Sequence, residues 1–358
     1  MDLYSKISIL GPDAQYDTCG PRDFGLTTNI PGVYHAKVNG HTCRLFKVLQ
    51  TNSCKNNCRY CAFRAGRDCP RTTATPDEMA SAFISAHRRR LVEGLFLSSG
   101  IAAHPDYTMT RMLETVDILR RRDRYRGYIH LKIMPGSSSS VIRQAIKTCN
   151  RLSLNIESPT QAGLSLLSPD KSLKTGFFDT LFEIRKQLRQ IKNYGLKTPS
   201  LTTQFVVGAS QESDSDFIKT THLLYQNFNF KRVFFSAFRP IPQTPLEHLP
   251  PASLVRQHRL YQSDFLMRFY RFSPADLPLD SAGNLSETTD PKTLWANAHP
   301  KFFPVNLNSS SYWNLLKVPG LGPVLARRVI DARLQSHLNF LHLAYLGLPR
   351  KAVPYLSF

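Results

Sequence analysis

Three cysteines stand close together in Cys54-Lys-Asn-Asn-Cys58-Arg-Tyr-Cys61, at gaps of four and three residues. Three thiolates on one short loop hold three irons of a [4Fe–4S] cube and leave the fourth iron without a protein ligand. A structural cluster takes four cysteines, so a three-cysteine loop points to an iron kept open for another ligand. The competing reading is a structural zinc site completed by Cys69, Cys43 or a nearby histidine. Zinc knuckles usually come as paired C-x2-C units. Here only Cys58 and Cys61 form such a pair, with no matching pair further on, which ranks the cluster above zinc.

These cysteines need a rigid support. The stretch 44–51 reads as a strand, with apolar Leu45, Val48 and Leu49. A loop leaving the C-terminal end of a strand is where α/β folds build their sites. Further strands are predicted at 94–99, 127–134, 152–157, 201–207 and 231–238, with segments of helical period at 76–92, 108–124, 138–149, 176–194 and 213–227. Thr75-Pro-Asp-Glu78 is a helix start: Thr caps, Pro takes the first turn and the acids suit the positive end. Six strands alternating with helices predict an α/β fold with a parallel sheet, curled by right-handed crossovers into a partial (β/α)6 barrel over 44–245.

The motif C-x3-C-x2-C after a first strand, with aromatic Tyr60 just before the third cysteine, resembles the signature of radical S-adenosylmethionine (SAM) enzymes. The resemblance implies that Cys54, Cys58 and Cys61 bind a [4Fe–4S] cluster whose open iron chelates the amino and carboxylate groups of SAM. One electron then breaks the sulfonium C–S bond, and the 5′-deoxyadenosyl radical takes a hydrogen atom from the substrate. That family has a partial (β/α)6 barrel, in agreement with the strand pattern. It also implies an electron donor such as a flavodoxin or ferredoxin.

Other cofactor-binding positions follow from the same resemblance. Ser98-Ser99-Gly100 ends the second strand, where the family often has Gly-Gly-Glu; the Glu is missing here. Asn155 and Glu157 end the fourth strand, where a polar residue often meets the ribose. Gly208, in Gln204-Phe-Val-Val-Gly208-Ala-Ser-Gln-Glu212, and Phe235 and Phe238 of the sixth strand are the expected adenine neighbours. His130 and Lys132 on the third strand are candidates to face the pocket.

The rest of the chain frames this site. Residues 1–43 read as an irregular leader packed on the barrel, with turn signals such as Gly11-Pro12 and Asn39-Gly40. Cys19, Cys43 and Cys69 lie outside the motif; a second metal site there competes with buried structural thiols. Residues 246–308 read as one helix, about 252–272, followed by a proline-rich extended connector wrapped on the barrel. Acidic and basic residues interrupt the N-terminus, and no run of eighteen apolar residues occurs, so neither a signal peptide nor a membrane span is expected. The odd count of seven cysteines and their clustering suit a ligand role in a reducing compartment, so a cytoplasmic location is expected.

The charge balance is unusual: 46 Lys and Arg against 26 Asp and Glu leave +20. A basic surface of that size favours a polyanionic partner. Arginine clusters at 88–90, 120–126 and 185–192 are first of all solvated helix faces. The last fifty residues, 309–358, hold six Lys or Arg and one Asp. There, Leu315-Leu-Lys-Val318-Pro-Gly320-Leu-Gly322-Pro-Val-Leu-Ala-Arg327-Arg328 resembles a helix-hairpin-helix. Val318, Gly320 and Gly322 would bring backbone N–H groups to a DNA phosphate at a helix start, with Arg327 and Arg328 adding contacts. Both halves together resemble radical SAM proteins with a C-terminal helix-hairpin-helix, described as DNA modification or repair proteins. The alternatives are a radical SAM enzyme on RNA or protein, and a non-enzymatic DNA-binding protein whose metal only holds the fold.

Overall fold

In the computed structural model, residues 1–17, 30–38, 41–195 and 197–358 are described, with only the backbone at 37, 38 and 41. The six expected parallel strands form one curled half-barrel sheet. They are β2 (His41–Leu49), β3 (Gly94–Ser98), β4 (Tyr128–Lys132), β5 (Arg151–Ser153), β6 (Ser200–Val207) and β7 (Phe230–Ala237). A seventh strand, β1 (Val33–Val38), pairs antiparallel with β2 at the edge. The leader is therefore not irregular throughout. It also holds a helix, α1 (Leu3–Asp13), capped by Asp2, whose carboxylate accepts from the Ser5 N–H at 2.8 Å. Cys19 lies outside the described residues.

The crossovers carry α2 (Pro76–Arg88), α3 (Pro105–Asp117), α4 (Ser139–Thr148), α5 (Gln161–Leu167), α6 (Asp179–Asn193) and α7 (Asp214–Phe228). The Thr75–Glu78 capping box forms as expected, with Pro76 in the first turn, a device worth about 1 kcal/mol. Periodicity does not reveal the short helix α5, because its seven residues make just under two turns. Side chains alternate between the two faces of each strand. Leu95, Leu97, Ile129 and Leu131 are fully buried. Burying each against the helix layer stabilises the sheet by about 2 kcal/mol. The opposite face carries Lys47, Phe96, Ser98, His130 and Lys132, brought level by the register Lys47↔Phe96 and Phe96↔His130.

Arginines of the expected solvated faces are partly structural. Arg120 donates to the carbonyls of Thr148 (3.0 Å), Tyr125 (2.8 Å) and Gly127 (2.9 Å), and Arg122 pairs with Asp77 at 2.7 Å.

A second compact unit takes in Ser213–His222 and Leu254–Phe358. It contains α8 (Leu254–Phe269), α9 (Pro291–Ala298), β8 (Val305–Asn306), α10 (Tyr312–Lys317), α11 (Pro323–Arg333), α12 (His342–Tyr345) and β9 (Leu356–Ser357). The expected extended connector thus contains helix α9 and folds with this unit; Arg256 pairs with buried Asp214 at 2.7 Å. The C-terminal core of Leu315, Leu316, Val318, Leu321, Ala326 and Val329 also takes in Val305 and Leu307, with Tyr270 and Phe302 packed against it. It starts earlier than the residue-309 boundary drawn from the sequence. The β8–β9 pairing, Val305↔Leu356, ties the two ends of this core together. Among the described residues, no helix is long and apolar enough to cross a membrane.

Candidate functional site

The loop after β2 carries the three cysteines, and it is held from several sides. Gln50 N–H donates to the Ser98 carbonyl (2.7 Å), Gly100 N–H to Thr51 (2.8 Å) and Lys55 N–H to Ile101 (2.8 Å), zipping the loop to the end of β3. Gly100 permits this approach: a Cβ there would lie 2.5 Å from the Ser53 carbonyl oxygen and 3.2 Å from Cys54 Cβ. Arg71, which the sequence reading did not single out, donates to the carbonyls of Asn52 (2.7 Å), Phe63 (2.9 Å), Arg64 (2.7 Å) and Arg67 (2.9 Å). One guanidinium thereby fixes the course of the loop on both sides of the cysteines. Under the loop, Phe238 is buried with Leu167, Val206 and Leu246, and Tyr60 packs on this group.

Cys58 is buried, with its sulfur 3.0 Å from Ser168 Oγ; Cys54 and Cys61 are partly exposed. Burial pushes the Cys61 thiol up to about 12, and the neighbouring Cys58 and Cys54 add to the shift. Cys58 and Cys54 are thus close enough to Cys61 to oppose its ionisation, so metal binding must displace the Cys61 proton. A cation stands by to offset that charge. Burial alone would lower the pKa of Lys171, but Cys58, Glu157, Cys61 and Cys54 together hold it above the ordinary lysine value. Lys171 Nζ lies 3.5 Å from Glu157 Oε1. The donor set fits a cluster bound by three thiolates, with Lys171 as countercharge. Among the described residues, no three His, Cys, Asp or Glu side chains converge as ligands of a single ion. Cys43 lies near the start of β2, at the far end of that strand from the loop, and the Cys69 thiol donates to the Ala62 carbonyl at 3.6 Å. Neither forms such a group with any of the three cysteines.

Glu157 is the second focus. It is buried and has φ +70, a left-handed conformation that is strained for a residue with a side chain. β5 ends at Ser153, so Asn155 and Glu157 lie beyond the strand rather than on it; Glu157 N–H still bonds the Gln204 carbonyl at 3.1 Å. The Tyr60 phenol is pushed well up by burial and then by Glu157, so it stays protonated and able to donate to that carboxylate. Tyr60, Glu157, Lys171 and the cysteine loop therefore come together. Gly208 has φ +86, which suits glycine at the turn after β6.

Phe235 departs from the expectation. Gln204 faces the interior, where its amide donates to the Tyr16 carbonyl at 3.3 Å. Its partner across the ladder is Phe234, whereas Phe235 pairs with Phe205 on the opposite face. A residue one step along a strand faces the other way, and Phe235 belongs to the core beneath the helices.

Inside the sheet, Lys132 forms an ion pair with Asp17 from the leader, and the Asp17 carboxylate also meets Ser98. His130 stacks on Phe96 with centroids 4.3 Å apart. Burial, then Arg151, holds it well below the ordinary histidine range, and its Nε2 has no hydrogen-bond partner among the described residues. Ser99 is turned aside, donating to the Gly100 carbonyl at 2.8 Å. Asp17 and Lys171 are site neighbours that no sequence motif announced.

Residues 48–224 match the family model described as the radical SAM superfamily. They form a radical SAM domain. The cofactors of this family are a [4Fe–4S] cluster and SAM. The chain is similar to a tRNA-2-methylthio-N(6)-dimethylallyladenosine synthase of Chloroflexus aurantiacus, 24% identical over 294 residues, covering 75% of this chain and 61% of that protein. It is also similar to a 7,8-didemethyl-8-hydroxy-5-deazariboflavin synthase of Methanosarcina mazei, 24% identical over 257 residues, covering 69% of this chain and 71% of that protein. The crystal structure of methylornithine synthase shares the fold, with a TM-score of 0.51 and 16% identity over 63% of this chain and 61% of that one. The radical SAM match thus falls on the curled sheet and its cysteine loop.

The second unit holds the glycine turn between α10 and α11. Val318 is buried and its N–H is spent on the Leu315 carbonyl at 3.2 Å, so it does not offer the backbone donor expected of it. Gly320 has φ +87, and a Cβ there would lie 2.6 Å from Pro349 Cγ and 3.2 Å from Lys351 Cε. Its lack of a side chain serves packing within the protein, not the approach of a ligand. Gly322 caps α11 with ordinary dihedrals (φ −110, ψ 179), supplies no side-chain cap and faces nearly open space. Arg328 donates to the Leu346 carbonyl at 2.8 Å and is committed to the fold. Arg327 is exposed, without an acidic partner among the described residues, and lies over the Tyr312 ring at 5.4 Å.

Proposed function

We propose that this protein is a cytoplasmic radical SAM enzyme that modifies or repairs DNA. The observation that carries the enzymatic part is the convergence of three thiols, Lys171 and Glu157 at the C-terminal edge of a parallel half-barrel. Cys54, Cys58 and Cys61 hold the cluster, and Lys171 offsets their charge. The bound cluster and SAM supply a carbon radical able to take a hydrogen atom from an unactivated position. Glu157, oriented by Tyr60 and Lys171, and Asn155 hold polar groups of the cofactor. Ser98 and Gly208 border it, Gly100 keeps the loop in place, and Phe238 supports Tyr60 from below. A flavodoxin or ferredoxin provides the electron.

DNA as substrate is supported by the helix-hairpin-helix resemblance of 309–358, by its excess of basic residues and by the uncapped start of α11 beside Arg327. A helix start favours phosphate oxygens through its free N–H groups and dipole. The rival substrate is RNA, favoured by the likeness to a tRNA-modifying synthase. Anaerobic reconstitution followed by chromatography for 5′-deoxyadenosine, without nucleic acid, with duplex DNA and with RNA, separates the readings. DNA is expected to stimulate cleavage. Stimulation by RNA alone would transfer the proposal to RNA, and zinc without iron after reconstitution would end the radical reading.

A further inference from the structure

The second unit contains a cavity of about 530 Å³ lined by Arg268, Phe269, Tyr312, Trp313, Arg327 and Ile330. Its size lies within the range of ligand sites, and its lining is an unusual mixture of aromatic rings and guanidinium groups with no acid. The Asp264 carboxylate on α8 is taken by Arg268 through paired hydrogen bonds of 3.0 Å. Tyr312 and Trp313 open α10 and stand edge to face, with centroids 5.1 Å apart. Arg327 lies over Tyr312, and the Arg271 guanidinium sits 3.7 Å from the Trp313 ring centroid. Arg271 adopts φ +60 just after α8, a left-handed conformation strained for a residue with a side chain. The apolar lining continues onto α8, where Phe265 and Phe269 are 45% and 44% exposed.

We propose that this cleft binds a short unpaired stretch of DNA, the bases stacking on Tyr312 and Trp313 and the phosphates meeting Arg327 and Arg271. The inference rests on the DNA reading above and deepens it. Every base has a π-face, so aromatic platforms beside basic groups bind single strands with little regard to sequence. An apolar ligand would have no use for the Arg327 and Arg271 guanidinium groups, which have no acidic partner among the described residues, whereas a phosphodiester chain supplies negative charge. The adjoining α11 start would serve the paired part of the DNA, and the cleft its frayed or unpaired end. The enzyme would thereby favour junctions of duplex and single strand over blunt duplex.

Fluorescence anisotropy of the full-length, reconstituted protein tests this, with a blunt duplex, the same duplex carrying a single-stranded overhang, and the overhang sequence as DNA and as RNA, all at one salt concentration. The overhang is expected to raise affinity. Trp313→Ala should lower affinity for overhang and single-stranded DNA by roughly 5- to 150-fold, leave the blunt duplex nearly unchanged, and be largely rescued in Trp313→Phe. Because Trp313 also packs on the core of its unit, the exposed Arg271, which belongs to the cleft alone, provides a fold-independent check as Arg271→Gln. It should weaken single-strand binding and flatten its salt slope by about 0.7. Equal losses on blunt and overhang DNA, no gain from the overhang, or tighter binding of the RNA strand would overturn the inference while leaving the enzyme's use of nucleic acid in place. Failure of the wild-type protein to bind any of the DNAs would overturn the DNA reading itself, and the inference with it.

Discussion

Gly100→Ala isolates the support of the cysteine loop from the thiols themselves. The new methyl group would start 2.5 Å from the Ser53 carbonyl oxygen, where ordinary contact begins at 3.4 Å, so the end of β3 and the loop must part by nearly an ångström. Both atoms belong to or adjoin the backbone, so no flexible side chain can yield. The movement strains the Gly100-to-Thr51 and Lys55-to-Ile101 hydrogen bonds, each 2.8 Å long and each worth about 1 kcal/mol. Overpacking adds about 1–3 kcal/mol. The total is a fraction of the roughly 5–15 kcal/mol that holds a domain folded, so the chain should fold but melt several degrees lower. Cys54, directly beside the clash, should lose its place. Iron and sulfide content after anaerobic reconstitution is expected to fall several-fold, whereas Ser99→Ala, which removes only a hydroxyl bonded to the Gly100 carbonyl, should load normally. Full iron content and an unaltered electron paramagnetic resonance signal in Gly100→Ala would show that the close approach is not what positions the loop.

Glu157→Gln should leave iron content near wild type and weaken SAM binding roughly 10- to 100-fold, the value of a hydrogen bond to a charged group; calorimetric titration giving unchanged affinity would remove Glu157 from the cofactor site. Gly322→Asp fits the backbone and should lower duplex affinity without lowering the melting temperature, whereas Gly320→Ala, at φ +87 and against Pro349, should destabilise its unit by about 1–3 kcal/mol. Equal DNA binding by Gly322→Asp and wild type would clear the α11 start of a phosphate role. Lys292 is buried beside the same turn, donating to the Leu321 carbonyl. Burial lowers its pKa from 10.5 to about 7, against the opposing pull of Asp290. Between these values the unfolded chain binds the proton that the folded chain releases. Stability should therefore rise with pH from 7 towards 10.5, by at most about 1.4 kcal/mol per unit. Lys292→Met should flatten that rise in melts recorded across the window, and an identical pH dependence in the variant would refute the assignment.

The sequence by itself determined the chemistry of the cysteine loop and the order of the six parallel strands. Both are local signals. A C-x3-C-x2-C loop is legible without any partner, and strands such as Leu95–Leu97, an apolar run, and Ile129–Leu131, an alternation of apolar and polar residues, announce themselves between helix-forming segments. The same holds for the Thr75 capping box and for the glycine turn at 319–322. Only the tertiary structure decided which distant side chains meet at the site. Lys171 lies more than one hundred residues after Cys54, in a loop without a motif, and it reaches the thiols because β5 and β2 share a sheet. Asp17 reaches Lys132 because the leader enters the interior of the sheet. Phe235 faces the helices rather than the expected adenine site because a one-residue step on a strand reverses the side chain, and the register with β6 is a long-range property. Gly320 was recognised as a turn glycine, but its contact with Pro349 needed the packed unit. Backbone propensity and ligand spacing act over a few residues and can be read along the chain. Packing and charge balance depend on what the fold brings together, and one chain read in order does not contain those distances.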